Sequence, residues 1–288
     1  MILDLQQLST IDKQYYLQHI IAPRPICFAS TIDKAGRVNL SPFSFFNLFS
    51  TDPAIVVFSP SRRVRDNTIK HTLENVLEVP EVAINIVDYD IVQQTSLASC
   101  EYSKDVSEFN KAGFTIQPAQ LIKPPLVKES KAKMECSVLE VKPLGDKGGA
   151  GNLVICEVLR IHLDENIIDG NGRIDQRKLK HVARLGGNWY CKIDATNLFE
   201  VEKPNVKLGI GFDALPEAIR NSKILTGNHL GILANVEMLP QLQPDFSDTG
   251  FDQIPVDIAK RSEAIHQYAT HLIEAGKINE AWQALLRS

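Results

Sequence analysis

The sequence lacks the features that direct a chain into a membrane or an oxidising compartment. No segment approaches the roughly 20 apolar residues of a membrane span, and the N-terminus has no basic segment ahead of an apolar run. The five cysteines include no Cys-x-x-Cys pair, so neither a disulfide framework nor a zinc knuckle is indicated. We therefore expect a cytoplasmic protein without membrane contact, whose cysteines are reduced and mostly packed in the core.

An excess of charge of one sign is also lacking. The formal net charge is −4, and the 31 lysine and arginine residues are dispersed along the chain. A broad basic surface for phosphate backbones is thus not indicated, and we predict no nucleic-acid partner. The 288 residues are 44% hydrophobic and 23% charged, which is typical of globular proteins and allows one large domain or two modest ones.

Three common catalytic or binding motifs are missing as well. The seven histidines fall at no metal-ligand spacing apart from weak helical pairings near the C-terminus, so we predict no metal. The sequence has no Gly-x-Ser-x-Gly elbow of a serine hydrolase. Gly209 and Gly211 lack the third glycine and the βαβ pattern of a dinucleotide-binding fingerprint.

From residue 22 to about 194, short runs of β-branched and aromatic residues alternate with turn residues, which predicts an antiparallel sheet or barrel. Asp33 to Gly36 is typical of a hairpin loop, and Gly145 to Gly151 of a glycine-rich connection between long strands. The clearest predicted strands are Ile26–Ile32, Ala54–Ser59, Val82–Val87, Met134–Lys142 and Leu153–Leu163.

Helices are predicted in two parts of the chain. Within the β-rich part we expect crossover helices over Asn67–Leu77, with Asp66 or Asn67 as the cap, over Ile91–Ala98, and over Val106–Ala112 ending at Gly113. After Asp194 the spacing becomes helical, at Leu215–Asn221, Leu225–Glu237 and Asp257–Leu286. The last of these predicts a helical hairpin that turns at Gly276 to Asn279, in an extension packed on the barrel.

One stretch mixes hydroxyls, amides and aromatic rings over residues 24–47. Ser30 and Thr31 lie on a predicted strand, and further polar residues follow beside three phenylalanines. A flavin requires hydrogen bonds along its pyrimidine edge and apolar cover on its faces, so this stretch suits a planar polar cofactor. The alternative is a bent strand with turn residues.

A second stretch, residues 59–68, carries Arg62, Arg63 and Arg65 just before a predicted helix. Helix N-termini favour anions, and guanidinium groups match phosphate oxygens. The stretch therefore favours a phosphate-bearing ligand, and the alternative is a solvated basic loop.

Five motifs occur in one order along the chain. They are Arg24-Pro25 with Ser30-Thr31, then Asn39 through Asn47, Asp66-Asn67-Thr68, Glu108-Phe109 through Ala112-Gly113, and Arg184-Leu185-Gly186-Gly187 with Tyr190. In this order and spacing, residues 20–194 resemble the flavin-reductase-like FMN-binding split barrels. The resemblance implies a β-rich fold: a six-stranded Greek-key split barrel with crossover helices in residues 1–200, followed by a helical C-terminal extension in 201–288.

The resemblance also implies the ligand-binding residues. Those expected around the flavin ring and ribityl chain are Ser30, Thr31, Asn39, Ser41, Phe43, Ser44 and Asn47. Those expected around the phosphate are Ser59, Arg62, Arg65, Asn67 and Thr68. The family often has Lys-Asp-Thr where this chain has Asp66-Asn67-Thr68, so Arg62 or Arg65 is expected to supply the positive charge.

The late motif is a candidate for the nicotinamide side of the flavin, and its residues are Arg184, Gly186, Gly187 and Tyr190. A glycine turn with a packed tyrosine is the alternative. No catalytic acid or base is assigned, because the cofactor supplies the hydride chemistry.

The leading hypothesis is an FMN-binding oxidoreductase that accepts a hydride from NADH or NADPH and passes electrons to an acceptor, as a homodimer with FMN near the interface. The second is an FMN-binding electron carrier or sensor without nicotinamide turnover, which docks a protein partner through its helical tail. A third is a barrel that has lost its flavin and serves as a structural dimer.

Overall fold

The computed structural model describes residues 1–204, 208–254 and 258–288, the last range with side chains from residue 261. The chain divides into two compact units, Met1–Phe199 and Glu200–Ser288. None of the helices in the described ranges combines the length and apolar character that a membrane span requires.

The strands of the described residues all lie in the first unit, where seven of them form one antiparallel sheet in the order β2-β1-β5-β8-β9-β4-β3. Two short pairs, β6 with β7 and β10 with β11, complete the strands of the described residues. Their bounds are β1 Cys27–Ile32, β2 Val38–Phe43, β3 Phe46–Thr51, β4 Ala54–Phe58, β5 Glu81–Ile86, β6 Ile116–Gln117, β7 Leu126–Val127, β8 Ala132–Pro143, β9 Asn152–Leu163, β10 Val182–Arg184 and β11 Tyr190–Lys192.

The connection between β2 and β3 forces the sheet to curl into a barrel. These two strands lie at opposite edges of the sheet, yet only Ser44 and Phe45 separate them in the chain. Seven strands spaced about 4.8 Å apart would separate the edges by roughly 29 Å in a flat sheet, whereas the three Cα steps from Phe43 to Phe46 span at most about 11 Å. The edges β2 and β3 are not paired, so the barrel is split between them.

The strand order confirms the Greek-key expectation, since β5, β8 and β9 are successive neighbours and the earlier strand β4 lies beside β9. The sheet has seven strands where the resemblance implied six. Residues 38–51 supply two of these strands, which are separated by Ser44-Phe45. All five strands predicted from the sequence are present, within two residues at each end.

Apolar residues cover both faces of β1. Cys27 and Ala29 pack inside the barrel with Phe58, whereas Phe28 packs on the opposite face with Phe109 of a crossover helix. Three of the five cysteines, Cys27, Cys136 and Cys156, are buried in the barrel core, as the composition predicts, while Cys100 is exposed. Because both faces of β1 are covered, its polar side chains, Ser30 and Thr31, are buried in the interior.

The helices of the first unit are α1 Thr10–Ile20, α2 His71–Glu78, α3 Val92–Leu97, α4 Glu108–Ala112 and α5 Gln176–Leu179. The crossover helices predicted at Ile91–Ala98 and Val106–Ala112 are confirmed as α3 and α4, and Gly113 ends α4 with φ 70°. The predicted start of α2 is wrong. Asn67 has φ 59°, which a right-handed helix excludes, and the helix begins only after Lys70.

The second unit is helical and has its own core. Its helices are α6 Glu217–Arg220, α7 Gly227–Leu233, α8 Thr249–Asp252, α9 Ile258–Glu274 and α10 Ile278–Leu285. The predicted hairpin is confirmed by α9 and α10, which turn at Gly276 with φ 75°, although its predicted start at Asp257 lies outside the described residues. Trp282 is fully buried here, and the chain's other tryptophan, Trp189, is exposed in the first unit.

Candidate functional site

A cleft in the first unit brings basic, polar and aromatic side chains together. Its volume is about 900 Å³, within the range of roughly 300–1,000 Å³ typical of small-molecule sites. Its aromatic surface comes from Phe45, just before β3, and from Phe46 and Phe49 within β3. Most of the polar surface comes from two elements, namely helix α1 and the loop after β4.

The cleft has a strongly positive lining. Its five cationic residues are Lys13, Arg24, Arg62, Arg63 and Lys70. None of the described residues that line it is an aspartate or a glutamate. Such a lining favours a ligand that carries phosphate or another anion.

Arg62 and Asn67 fix the loop after β4. The Arg62 guanidinium donates to the side-chain oxygen of Asn67 at 2.7 Å and to its backbone carbonyl at 2.8 Å. Asn67 in turn donates from Nδ2 to the carbonyl of Asp146 at 2.9 Å. The hydrogen bonds of its side chain and its carbonyl therefore stabilise Asn67 in the left-handed conformation.

Arg63 holds the other side of the same loop. Its guanidinium donates to Thr68 Oγ1 at 3.0 Å and to the carbonyl of Ile69 at 2.7 Å, and it pairs with Glu101 at 3.0 Å. The positive charge at the cleft is thus held in place before any ligand binds, which reduces the entropy lost on binding.

Lys70 is a cation of the cleft that sequence reasoning missed. Its ammonium nitrogen lies 5.2 Å from the centroid of the Phe43 ring, and it pairs with no carboxylate among the described residues. Burial, followed by the nearby Arg63 guanidinium, lowers the pKa of Lys70 in spite of the opposing effect of Glu101. A half-buried ammonium without a salt-bridge partner is costly, and an anion bound in the cleft would relieve that cost.

Arg24 ties the end of α1 to the late loop. This buried guanidinium donates to the carbonyls of Gln18 and Ile21 and, at 2.8 Å, to the carbonyl of Leu185. The backbones of Arg24 and Arg184 exchange two hydrogen bonds, both of 2.9 Å. The Arg-Pro motif therefore acts as a structural junction at one end of the cleft.

The late loop lies beside α1 and does not line the cleft directly. The Arg184 guanidinium stacks 4.5 Å from the Tyr190 ring centroid and donates to the carbonyl of Gly187 at 2.9 Å. Gly187 has φ 57°, and a Cβ on Gly186 would clash with the His19 ring. The turn explains the glycine at position 187, and the close approach of His19 explains the glycine at position 186. A role of this loop on the nicotinamide side of the flavin stays a prediction.

Helix α1 is an element of the site that sequence reasoning missed. Ser9 caps it by accepting a hydrogen bond from the backbone N–H of Asp12 at 3.1 Å and donating to the Asp12 carboxylate at 2.6 Å. A serine followed three residues later by an acidic residue is the sequence signal that could have revealed this start. The helix lacks an apolar stripe, so its periodicity gave no further signal.

Four of the residues proposed from the sequence line the cleft, and they are Ser44, Asn47, Ser59 and Arg62. Ser30 and Thr31 are fully buried, and Thr31 accepts a hydrogen bond from Asn75 at 3.2 Å. Phe43 belongs to the barrel core. Asn39 and Ser41 border a separate cavity of about 60 Å³. Direct flavin contacts from these five stay predictions.

The remaining phosphate candidates lie outside the cleft. Arg65 is exposed and pairs with Asp66 and Glu101, both at 3.0 Å. Thr68 donates its hydroxyl and its backbone N–H to Asp66, and these bonds, with help from Arg65, lower the pKa of Asp66 to about 2. A phosphate role for Arg65, Asn67 and Thr68 also stays a prediction.

Comparison with protein families identifies the class. The model of the family described as "Flavin reductase like domain" matches residues 20–179, more than half of the chain. The chain belongs to this family, and its fold is the split barrel of flavin reductase-like proteins. Membership supports a flavin-related oxidoreductase function and a flavin cofactor.

Particular relatives agree with this class. An uncharacterized protein of Halalkalibacterium halodurans is 34% identical over 206 residues, which cover 71% of this chain and 97% of that protein. Nitrilotriacetate monooxygenase component B from Bacillus cereus is 29% identical, with a TM-score of 0.65 over 70% of this chain and 98% of that one. A Shewanella frigidimarina protein described as a flavin reductase with a split barrel domain is 26% identical, with a TM-score of 0.60 over 70% of this chain and 99% of that one.

Proposed function

We propose that the protein is an FMN-dependent reductase that takes a hydride from NADH or NADPH and passes electrons to free flavin, oxygen or another acceptor. The observation that carries the proposal is the cleft of about 900 Å³, which combines five cations, no described carboxylate and three phenylalanines. A planar aromatic ligand with a phosphate group matches this combination. Family membership supports the flavin.

In this proposal the loop after β4 holds the FMN phosphate. Lys70 offers an unpaired ammonium, Arg63 a fixed guanidinium, and Ser59 and Ser61 offer hydroxyls, all on the wall of the cleft. A phosphate monoester carries a charge of about −1.5 to −2 at neutral pH and accepts several hydrogen bonds. This arrangement gives Lys70 and Arg63 the role that the sequence alone suggested for Arg62 or Arg65.

The junction of β2 and β3 holds the flavin ring. Ser44 and Asn47 offer a hydroxyl and an amide for the polar edge, and the three phenylalanines of the cleft offer apolar cover. Bound FMN supplies the hydride and electron transfer chemistry. The chain's own groups bind and orient the ring.

We also propose a homodimer in the cytoplasm. Strand β3 is a sheet edge on which Leu48 and Phe49 are 58% and 67% exposed. Long apolar edges invite pairing with another chain. Because Phe49 also lines the cleft, a second copy seated on β3 would cover its mouth and place FMN near the interface. The cytoplasm supplies NADH and NADPH and suits the five free cysteines.

An FMN-binding electron carrier or sensor that docks a partner is the second candidate. The observation that favours it is a second unit with its own core, which lies beyond the matched residues 20–179. Most apolar residues of α9 and α10, however, are buried within that unit. Docking through this unit therefore depends on its remaining exposed surface, and it stays a prediction.

The first experiment is a visible absorption spectrum of the purified full chain before and after addition of FMN and desalting. We expect a flavin spectrum that remains with the protein, and bleaching on anaerobic addition of NADH or NADPH. A holoprotein that holds FMN and resists reduction by both nucleotides would favour the carrier. A protein that neither binds FMN nor turns it over as a substrate would refute both.

A further inference from the structure

Helix α1 turns a mainly polar stripe toward the cleft. The stripe consists of Thr10, Lys13, Gln14, Leu17 and Gln18, whose spacing of three and four residues places them on one helix face. Leu17 is the apolar member of the stripe, and no residue of the helix is buried: Ile11, Tyr15 and Ile20 are 68%, 57% and 74% exposed. A surface helix ordinarily buries its apolar stripe. Hydrophobic burial thus does not explain why α1 lies over the cleft.

Contacts at its two ends hold α1 in place. At the start, a Cβ on Gly149 would lie 2.6 Å from Thr10 Cγ2, so the helix approaches this glycine closely. At the other end, the Arg24 guanidinium binds the carbonyls of Gln18 and Ile21. The middle of the helix therefore spans the cleft between two fixed points.

The middle of the stripe carries side chains that have no protein partner. Lys13 and Gln14 make no side-chain hydrogen bond or ion pair with the described residues, and Lys13 is half-buried. No described carboxylate lines the cleft to balance the Lys13 ammonium. Lys13 lies one helical turn from Thr10, and Thr10 contacts Gly149. The N–H of Gly149 donates to the carbonyl of Arg62 at 3.0 Å, which links this end of α1 to the basic loop. Lys13 thus faces the cleft near its basic loop.

We propose that Lys13 binds a phosphate group of the nucleotide in the cleft and that α1 is a ligand-binding wall of the site. This inference rests on the proposed function. The phosphate belongs either to FMN or to the dinucleotide electron donor, and both present the same chemistry to an ammonium group. Helix α1 ends where the matched range of the family, residues 20–179, begins, so the inference adds an element to the site that family membership does not assign.

The test compares Lys13→Gln, Lys13→Arg and the control Lys34→Gln in the full chain. Lys34 is an exposed lysine in the turn between β1 and β2, outside the cleft lining, so its variant matches the loss of charge. Flavin fluorescence titration gives the Kd for FMN, and steady-state assays give KM for NADH and NADPH. For Lys13→Gln we expect a rise of about tenfold in one of these constants, the size expected from one lost charge-assisted hydrogen bond. Lys13→Arg should stay near wild type.

The measured constants also identify the phosphate. A rise confined to the Kd for FMN assigns Lys13 to the flavin phosphate, whereas a rise in KM at unchanged Kd assigns it to the dinucleotide. Values for Lys13→Gln within about twofold of Lys34→Gln would overturn the inference. If the wild-type chain binds no FMN, the proposed function fails separately, and titration with inorganic phosphate decides the inference: weaker binding by Lys13→Gln supports it, and equal binding overturns it.

Discussion

Lys70 lines the proposed phosphate site and has no salt-bridge partner among the described residues. For Lys70→Gln we expect the Kd for FMN to rise about tenfold, because a cleft-lining ammonium without a salt-bridge partner is lost. The pKa of Lys70 is lowered by burial and by Arg63, so it loses its proton at a lower pH than an ordinary lysine. Affinity for FMN should therefore fall as the pH rises through that lowered value, and fluorescence titrations at several alkaline pH values measure the fall.

Lys70→Arg separates charge from structure in this prediction. The guanidinium stays protonated across the same range, so this variant should keep its affinity where the wild-type protein loses it. Lys34→Gln serves as the control for net charge. An affinity of the wild-type protein that does not change between neutral and alkaline pH would assign the phosphate to other cations.

At the residue scale, the sequence could identify the composition of the site but not the direction of each side chain. Ser30 and Thr31 suit a flavin by type, yet β1 is covered on both faces, so both point into the interior. Ser44 and Asn47 lie at the break between two edge strands and reach the cleft. Period-two alternation distinguishes inside from outside only where one face of a strand meets water.

At the scale of elements, Glu135 of β8 fastens the connection between β6 and β7. This buried carboxylate accepts hydrogen bonds from the N–H groups of Gln120 and Leu121, the latter at 2.6 Å, and contacts His162 Nε2 at 2.6 Å. Burial alone would raise its pKa, but the two backbone donors and His162 outweigh burial and lower it. The ionised form therefore stabilises the fold.

The consequence for stability follows from that sign. Because the pKa of Glu135 is lower in the folded state, its contribution is present above the ordinary carboxyl range and disappears as the pH falls through the lowered value. Glu135→Gln should reduce the free energy of unfolding by about 2 kcal/mol at neutral pH, and the difference from wild type should shrink in acid. Urea unfolding at several pH values measures both effects.

Glu140→Gln is the matched control, since Glu140 is an exposed residue of the same strand. It should unfold like the wild-type protein at each pH. Equal stability of Glu135→Gln and Glu140→Gln at neutral pH would contradict the role given to the buried carboxylate.

Elements were predictable where residue type and burial agree. The five predicted strands are rich in valine, isoleucine and cysteine and supply the barrel core, so their pattern and their burial coincide. Helix α1 escaped detection because its cleft-facing stripe is mainly polar. Helix α2 was predicted four residues too early, because the left-handed Asn67 and the hydrogen bonds of Arg62 and Arg63 hold the preceding loop open. Tertiary contacts of this kind do not produce a periodic pattern in the sequence, so the sequence does not predict them.

At the scale of the whole molecule, the proposed dimer predicts a mass of twice 32.1 kDa in solution. Leu48→Asp on the exposed edge strand should give the monomer mass and weaken FMN binding, because a charge on the pairing edge opposes association. Light scattering after size exclusion measures the mass. Leu139→Asp, an exposed position on β8, is the control. A wild-type chain that elutes as a monomer at micromolar concentration would refute the dimer.

The sequence predicts more about the first unit than about the second. Relatives such as the Halalkalibacterium halodurans protein are matched over 97% of their length by 71% of this chain. The ordered motifs of the first unit therefore predicted its fold as well as its class. The sequence of the second unit shows only helical spacing, which predicted its helices but not a function. An apolar stripe indicates that one face of a helix is buried, but it does not identify the surface that covers this face.

The placement of the two tryptophans gives each unit its own optical reporter. Trp282 lies fully buried in the core of the second unit, whereas Trp189 is 73% exposed in the late loop beside α1. Indole emission shifts with exposure to water, so the intact chain contains one blue-shifted and one red-shifted fluorophore. In Trp189→Phe the remaining tryptophan emission arises from the second unit alone, so the unfolding of that unit can be followed separately.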